Sequence, residues 1–397
     1  MEAPNAKTNG ILGAWATVGG SAFATNSGLG GGLIVAYTGY TDVPRLTPGT
    51  IVSDATSNVR IIEGSGSPGG ITMAASGTTA INSLLQSASG GTSAASVVIG
   101  AGNTLQVNGI LQAPTAGSLT IGLPATTAQL KAGSAGGTLD LSNYSTNALT
   151  VNAAITDNTS ASSLTLGGTG TVVLTGVNLY TGTTGINGML QVAGSGSLGS
   201  GSYAGAIGNN GVLQYSSSAA QTLSGVISGS GSLTKDTSGS TLTLTAFNPY
   251  TGATTIGAGT LQIGGTGSLG SFGSYAGAIS IASGATFEYS SSAAQTLSGA
   301  ITGLGALTLD NSGTATSLTL TGTGNTYSGN TAISNGNRLV AGPANLSPNT
   351  AFNIAGTSAG GGQLYFNAGA ATVANNFTIS GVGYADRSGV RGSHPGV

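Results

Sequence analysis

The sequence predicts an all-β protein built as a single-stranded parallel β-helix, a right-handed β-solenoid. Three observations point there. Glycine supplies 72 of the 397 residues, while Lys, Arg, Asp and Glu together supply 18, far from the composition of an ordinary globular chain. A long unit recurs in tandem, with Tyr180, Tyr250 and Tyr327 opening matched segments 70 and 77 residues apart. Within each unit leucine and isoleucine alternate with threonine, as at Leu242 and Leu244 or Leu318 and Leu320. Period two marks a strand with one buried and one wet face. The hand is expected from known solenoids rather than read from these residues.

The chain divides into three stretches. Residues 1–95 read as an irregular or early β-helical segment. Their Ile11–Thr41 part gathers Trp15, Phe23, Tyr37 and Tyr40. This aromatic group is expected to pack at wider coils or in a lateral loop, with a ligand platform as the lesser reading. Residues 96–380 read as β-helix, beginning with VVIGAGNTLQVNGILQ at Val97 and with repeats near 164–200, 242–270 and 318–342. Between the first two copies lies a second shared block, SSSAAQTLSG, at Ser216 and again at Ser290. Glycine and asparagine between the strands suit turns because they tolerate positive φ. Residues 381–397 carry Asp386, Arg387, Arg391 and His394 with no strand pattern, and read as a frayed or truncated tail.

A unit of this length divides into about three coils of 20 to 26 residues. With every residue in coils, about 17 coils would make a rod of roughly 80 Å at the spacing of neighbouring strands. Silk-like disorder does not explain aliphatic residues at matched positions. A membrane barrel should show strands of about ten residues and aromatic girdles, which the sequence lacks. No apolar run approaches the roughly 20 residues of a membrane-spanning helix, and no secretory leader is legible at Met1.

Chemistry is thinly represented. Eight basic residues and a net charge of -2 cannot neutralise a phosphate backbone, so no nucleic-acid partner is expected. There is no cysteine, and His394 is the one imidazole. Neither a nucleophile–imidazole–carboxylate constellation nor a metal-ligand cluster forms in the sequence, so no catalytic, metal or cofactor site is expected. The Gly167–Gly170 and Gly264–Gly267 stretches lack the aspartate of a calcium-binding nonapeptide. Asp236 and Asp310 occupy equivalent repeat positions. They are expected on one side of the solenoid, roughly 14 Å apart by strand spacing, in turn or cap roles. Asn178, Asn248 and Asn325 could stack as an internal ladder; the favoured expectation is that each satisfies amides of its own turn.

The segment LTGVNLYTGTTGINGMLQVAGSGSLG, Leu174 to Gly199, resembles the autotransporter-associated β-strand repeat, also called the passenger-associated transport repeat. Leu244 to Gly270 resembles it well and Leu320 to Gly342 less closely. The residues that carry the resemblance are Asn178, Tyr180 and Gly182, then Asn248, Tyr250 and Gly252, then Asn325, Tyr327 and Gly329. The resemblance implies a β-helical passenger exported by type V secretion to the surface of a Gram-negative-like bacterium, with repeats that assist export and folding. A structural or adhesin-like role follows, with surface glycans or proteins and an outer-membrane translocator barrel outside this chain as implied partners. The competing reading is a carbohydrate-binding or polysaccharide-degrading β-helix, which would require aromatics and carboxylates clustered on one face.

Overall fold

The computed structural model describes residues 7–27, 32–74, 76–88, 94–236, 239–311, 313–357, 360–366 and 375–380. The chain winds as a right-handed β-solenoid of about 13 turns. The sequence estimate of 17 coils is too high for two reasons. The first strands, Thr17–Val18, Ala22–Asn26 and Ile34–Ala36, form an antiparallel sheet beside the solenoid and outside its coils. Coil length also varies: Leu174 pairs with Val192, 18 residues on, whereas Ile121 pairs with Val151, 30 residues on. At the usual strand spacing, about 13 coils give a stack about 60 Å long.

Each coil lays short strands on three sides. The first side includes Thr138–Asn143, Ser163–Gly167, Thr184–Ile186, Ile207–Asn209 and Ile227–Ser228, all parallel. It then continues in shorter sheets, through Ser274–Tyr275 and Gln295–Leu297 to Ser317–Leu320 and Arg338–Ala341. The second side is unbroken from Thr50–Ile51 to Ile301–Gly303. The third carries Gln221–Leu223, Thr241–Leu244, Thr260–Ile263, Thr286–Tyr289, Ala306–Leu309 and Thr331–Ile333.

The alternation seen in the sequence fixes which way each side chain points. On the second side Val97, Ile121, Val151, Leu174 and Val192 stack in register and are buried. Thr120, Thr150, Gln191, Gln214, Thr234 and Thr255 stack in the outward column. Like-on-like stacking makes one continuous apolar core from Val43 to Phe352. Full burial of each large aliphatic side chain contributes roughly 1.5–3 kcal/mol. The inward column also admits Lys235, whose Nζ donates to Ala258 O at 3.1 Å. Its burial lowers the ammonium pKa.

Glycine has a second structural use besides the positive-φ turns. Gly168, Gly188, Gly211, Gly231, Gly252, Gly277, Gly299 and Gly322 lie one above another at one corner. From Gly188 onward, a Cβ at each would stand less than 3.0 Å from the carbonyl oxygen of the glycine below. Few of these residues have positive φ; the requirement is steric, because successive backbones touch there. We expect Gly211→Ala to lower the urea midpoint by an amount corresponding to about 2–4 kcal/mol. Gly208→Ala is the matched control: Gly208 has open space around its Cβ position and no positive φ, so its midpoint should stay within about 0.5 kcal/mol of the parent.

Candidate functional site: the repeat corners

Each sequence-marked asparagine is buried where a coil turns from one side to the next. Asn178 Oδ1 accepts the N–H of Ile155 in the coil below at 3.0 Å, and its Nδ2 donates to Gly176 O at 2.9 Å and Ser197 O at 3.1 Å. Asn248 accepts from Ile227 N–H at 2.9 Å and donates to Ala246 O at 2.6 Å. Asn325 accepts from Ile301 N–H at 2.6 Å and donates to Gly322 O and Asn345 O. Local Asx bonding is therefore one part of the role. Each side chain also reaches the preceding coil, and Asn178 and Asn325 reach the following coil as well.

The tyrosines form the second part of each corner. Tyr180 Oη lies 2.8 Å from Thr184 Oγ1, which lies 2.8 Å from Tyr203 Oη; Tyr203 donates to Gly182 O at 2.5 Å. A carbonyl can only accept, so the protons run one way: Tyr180 to Thr184, Thr184 to Tyr203, and Tyr203 to Gly182 O. Tyr250, Thr254 and Tyr275 repeat the chain at 2.7 Å per step, ending on Gly252 O. In the third copy Thr350 replaces the second tyrosine: Tyr327, Thr331 and Thr350 are linked at 2.8 and 3.0 Å and end on Gly329 O at 2.6 Å.

The three glycines complete the corners. A Cβ on Gly182, Gly252 or Gly329 would meet the backbone carbonyl of Ser162, Gly231 or Gly305 at less than 3.0 Å. Sequence reasoning missed the threonines, although Tyr-x-x-x-Thr stands in all three copies. It also missed Gln221 and Gln295 of the second shared block. Each buried amide grips the backbone of the coil below, at Leu198 and Leu269 respectively.

Successive repeats occupy successive sides of the solenoid. Thr184 pairs with Leu164 and Ile207 on the first side; Thr254 pairs with Leu233 and Ile279 on the second; Thr331 pairs with Leu307 and Phe352 on the third. The expectation that Asp236 and Asp310 share one side is thereby overturned. Asp236 follows the second-side strand Ser232–Lys235, and Asp310 follows the third-side strand Ala306–Leu309. Both tie adjacent coils: Asp236 accepts from Gln214 at 2.7 Å and Ser216 at 2.5 Å, and Asp310 accepts from Ser334 at 3.0 Å and from Asn335. An asparagine ladder does exist, but elsewhere. Asn108 donates to Asn82 at 3.0 Å, Asn82 to Asn58 at 2.7 Å, and Asn58 to Asn9 O at 2.7 Å.

The passenger-associated-transport-repeat family matches residues 164–188, 236–263 and 315–340. The chain carries three passenger-associated-transport repeats. Each match contains one asparagine–tyrosine–threonine corner and starts several residues before the segment picked out from the sequence, taking in the strand on which the corner rests. No curated protein and no solved structure matches the chain. The repeats and the β-solenoid fit an autotransporter passenger domain. No group of three or more potential metal-ligating side chains occurs among the described residues, and the expected tail at 381–397 lies outside them.

The proton order ranks two substitutions. Thr254→Val leaves the buried Tyr250 hydroxyl without an acceptor and should cost about 2 kcal/mol. Tyr250→Phe removes a donor and leaves no orphan hydroxyl, so it should cost about 1 kcal/mol; equilibrium urea unfolding of the two variants gives the comparison. Burial also raises the hydroxyl pKa of these tyrosines, well above 10.0 for Tyr180 and Tyr250 and to about 12 for Tyr327. An unfolded tyrosine ionises near 10, so their contribution is intact below that pH and is lost as pH rises through the folded values. An alkaline titration should show buried tyrosinate absorbance appearing together with loss of the β-sheet circular dichroism signal, above pH 10.

Proposed function

We propose that this chain is a structural, adhesin-like segment of an exported surface passenger, whose repeats help it fold after crossing the outer membrane. The supporting observation is the coincidence of the three family matches with three buried corners that bind adjacent coils together. A chain emerging in extended form has no completed core to fold onto. A corner that satisfies backbone groups in neighbouring coils fixes the register of a new coil before its apolar residues are fully enclosed. Placing successive corners on different sides pins the growing stack around its axis rather than along one edge.

The low charge suits this route. Buried charges would require desolvation each time a coil closes, whereas serine, threonine and asparagine meet backbone groups at much smaller cost. The extended faces would present the segment at the cell surface, and an array of weak contacts along such a solenoid can add up to adhesion.

Refolding kinetics test the folding role. Asn248→Ala combined with Tyr250→Phe should slow refolding from denaturant by about tenfold if these contacts form in the transition state. An unchanged folding rate with faster unfolding would assign the corner to stability alone and overturn the reading.

A further inference from the structure

The N-terminal antiparallel sheet lies against the outside of the coils, where it creates a groove absent from the solenoid itself. Phe23 and Ile11 pack on Leu85, Leu111 and Ala113, the outward neighbours of core residues Leu84 and Ile110. Ala14 comes down on Gly109, whose missing Cβ gives it room. Asn58, at one end of the asparagine ladder, holds Asn9 O of the flap. Between flap and coils runs a groove of about 320 Å³, lined by Gly13 and Ala14 on one wall and by Asn82, Asn108, Thr138 and Asp140 on the other.

Its chemistry is unlike the rest of the surface. Trp15, the single tryptophan of the chain, is 73% exposed, and its indole lies along Gly13 at the groove's rim. The ladder runs in one direction, and Asn108 ends it with no donor to its own Oδ1 among the described hydrogen bonds. Asp140 is the one charged residue lining the groove; it accepts from Thr165, and burial raises its pKa. The groove thus sets an apolar aromatic face beside amide, hydroxyl and carboxylate groups. A pyranose ring has the matching pair of surfaces, a C–H face that stacks on an aromatic ring and equatorial hydroxyls that both donate and accept. The volume lies at the low end of small-molecule sites, the size for a terminal sugar or a disaccharide. The sole carboxylate disfavours acidic sugars.

We propose that this groove binds a neutral saccharide, with Trp15 as the stacking platform and Asn108 and Asp140 as hydrogen-bonding partners. The proposal is independent of the export reading and survives its failure. Because Trp15 is the only tryptophan, its fluorescence in the intact chain reports the site directly. Titration with cellobiose, maltose, N,N′-diacetylchitobiose and sialyllactose should give a saturable change with at least one of the three neutral sugars and none with sialyllactose. Asp140→Asn, nearly isosteric, and Asn108→Ala should each weaken that binding about tenfold, while far-ultraviolet circular dichroism stays unchanged. Calorimetry on Trp15→Ala should show a loss of similar size. No saturable response to any neutral sugar, a response confined to sialyllactose, or neutral-sugar binding that survives all three substitutions would overturn the proposal.

Discussion

Parallel coils stack with neighbouring backbones about 4.8 Å apart, and every other feature of this protein accommodates that close contact. On the flat sides it is met by ladder hydrogen bonds between short strands, with equal-sized side chains above one another. At the corners the backbone turns and the ladder stops. Polar groups there must still be paired, and the backbones still approach closely. The eight-glycine corner column answers the steric demand, and the buried asparagines, glutamines, threonines and tyrosines answer the hydrogen-bonding demand.

The repeats are best understood as corner units. Each contributes an amide that reaches a neighbouring coil, a hydroxyl chain that closes on a glycine carbonyl, and the glycine that lets the next backbone settle. The coil length, variable around two dozen residues or fewer, does not divide evenly into the 70 and 77 residues that separate the repeat tyrosines. The remainder moves each repeat to the next side, so three copies secure three corners. This displacement has a consequence for function: equivalent residues do not line up into one long surface. A ligand-binding stripe made from repeated side chains is therefore not available, and the groove under the N-terminal sheet arises from non-repeated residues.

Much of the fold was legible because its signals are local. Alternating Leu242-Thr243-Leu244 must place leucine on one face and threonine on the other whatever the strand pairs with. The asparagine, tyrosine and glycine positions were visible as recurrences, and all of them lie at buried corners. Thr184, Thr254 and Thr331 recur as faithfully, yet threonine is so common here that nothing marked them out. The doubled apolar pairs Leu84-Leu85 and Ile110-Leu111 were the one local hint that something covers the outside of the coils, since a strand with a wet face has no use for the second residue.

By itself the sequence determined an uncharged β-solenoid, because alternation and repetition dictate strand faces and corner chemistry without reference to distant residues. The tertiary structure alone decided which repeats share a side, which carboxylates meet, and where a groove opens. Those relations depend on the number of residues per coil and on the seating of the N-terminal sheet, and both are sums over long-range contacts. Spacing along the chain placed Asp236 and Asp310 together; winding around the axis put them on different sides.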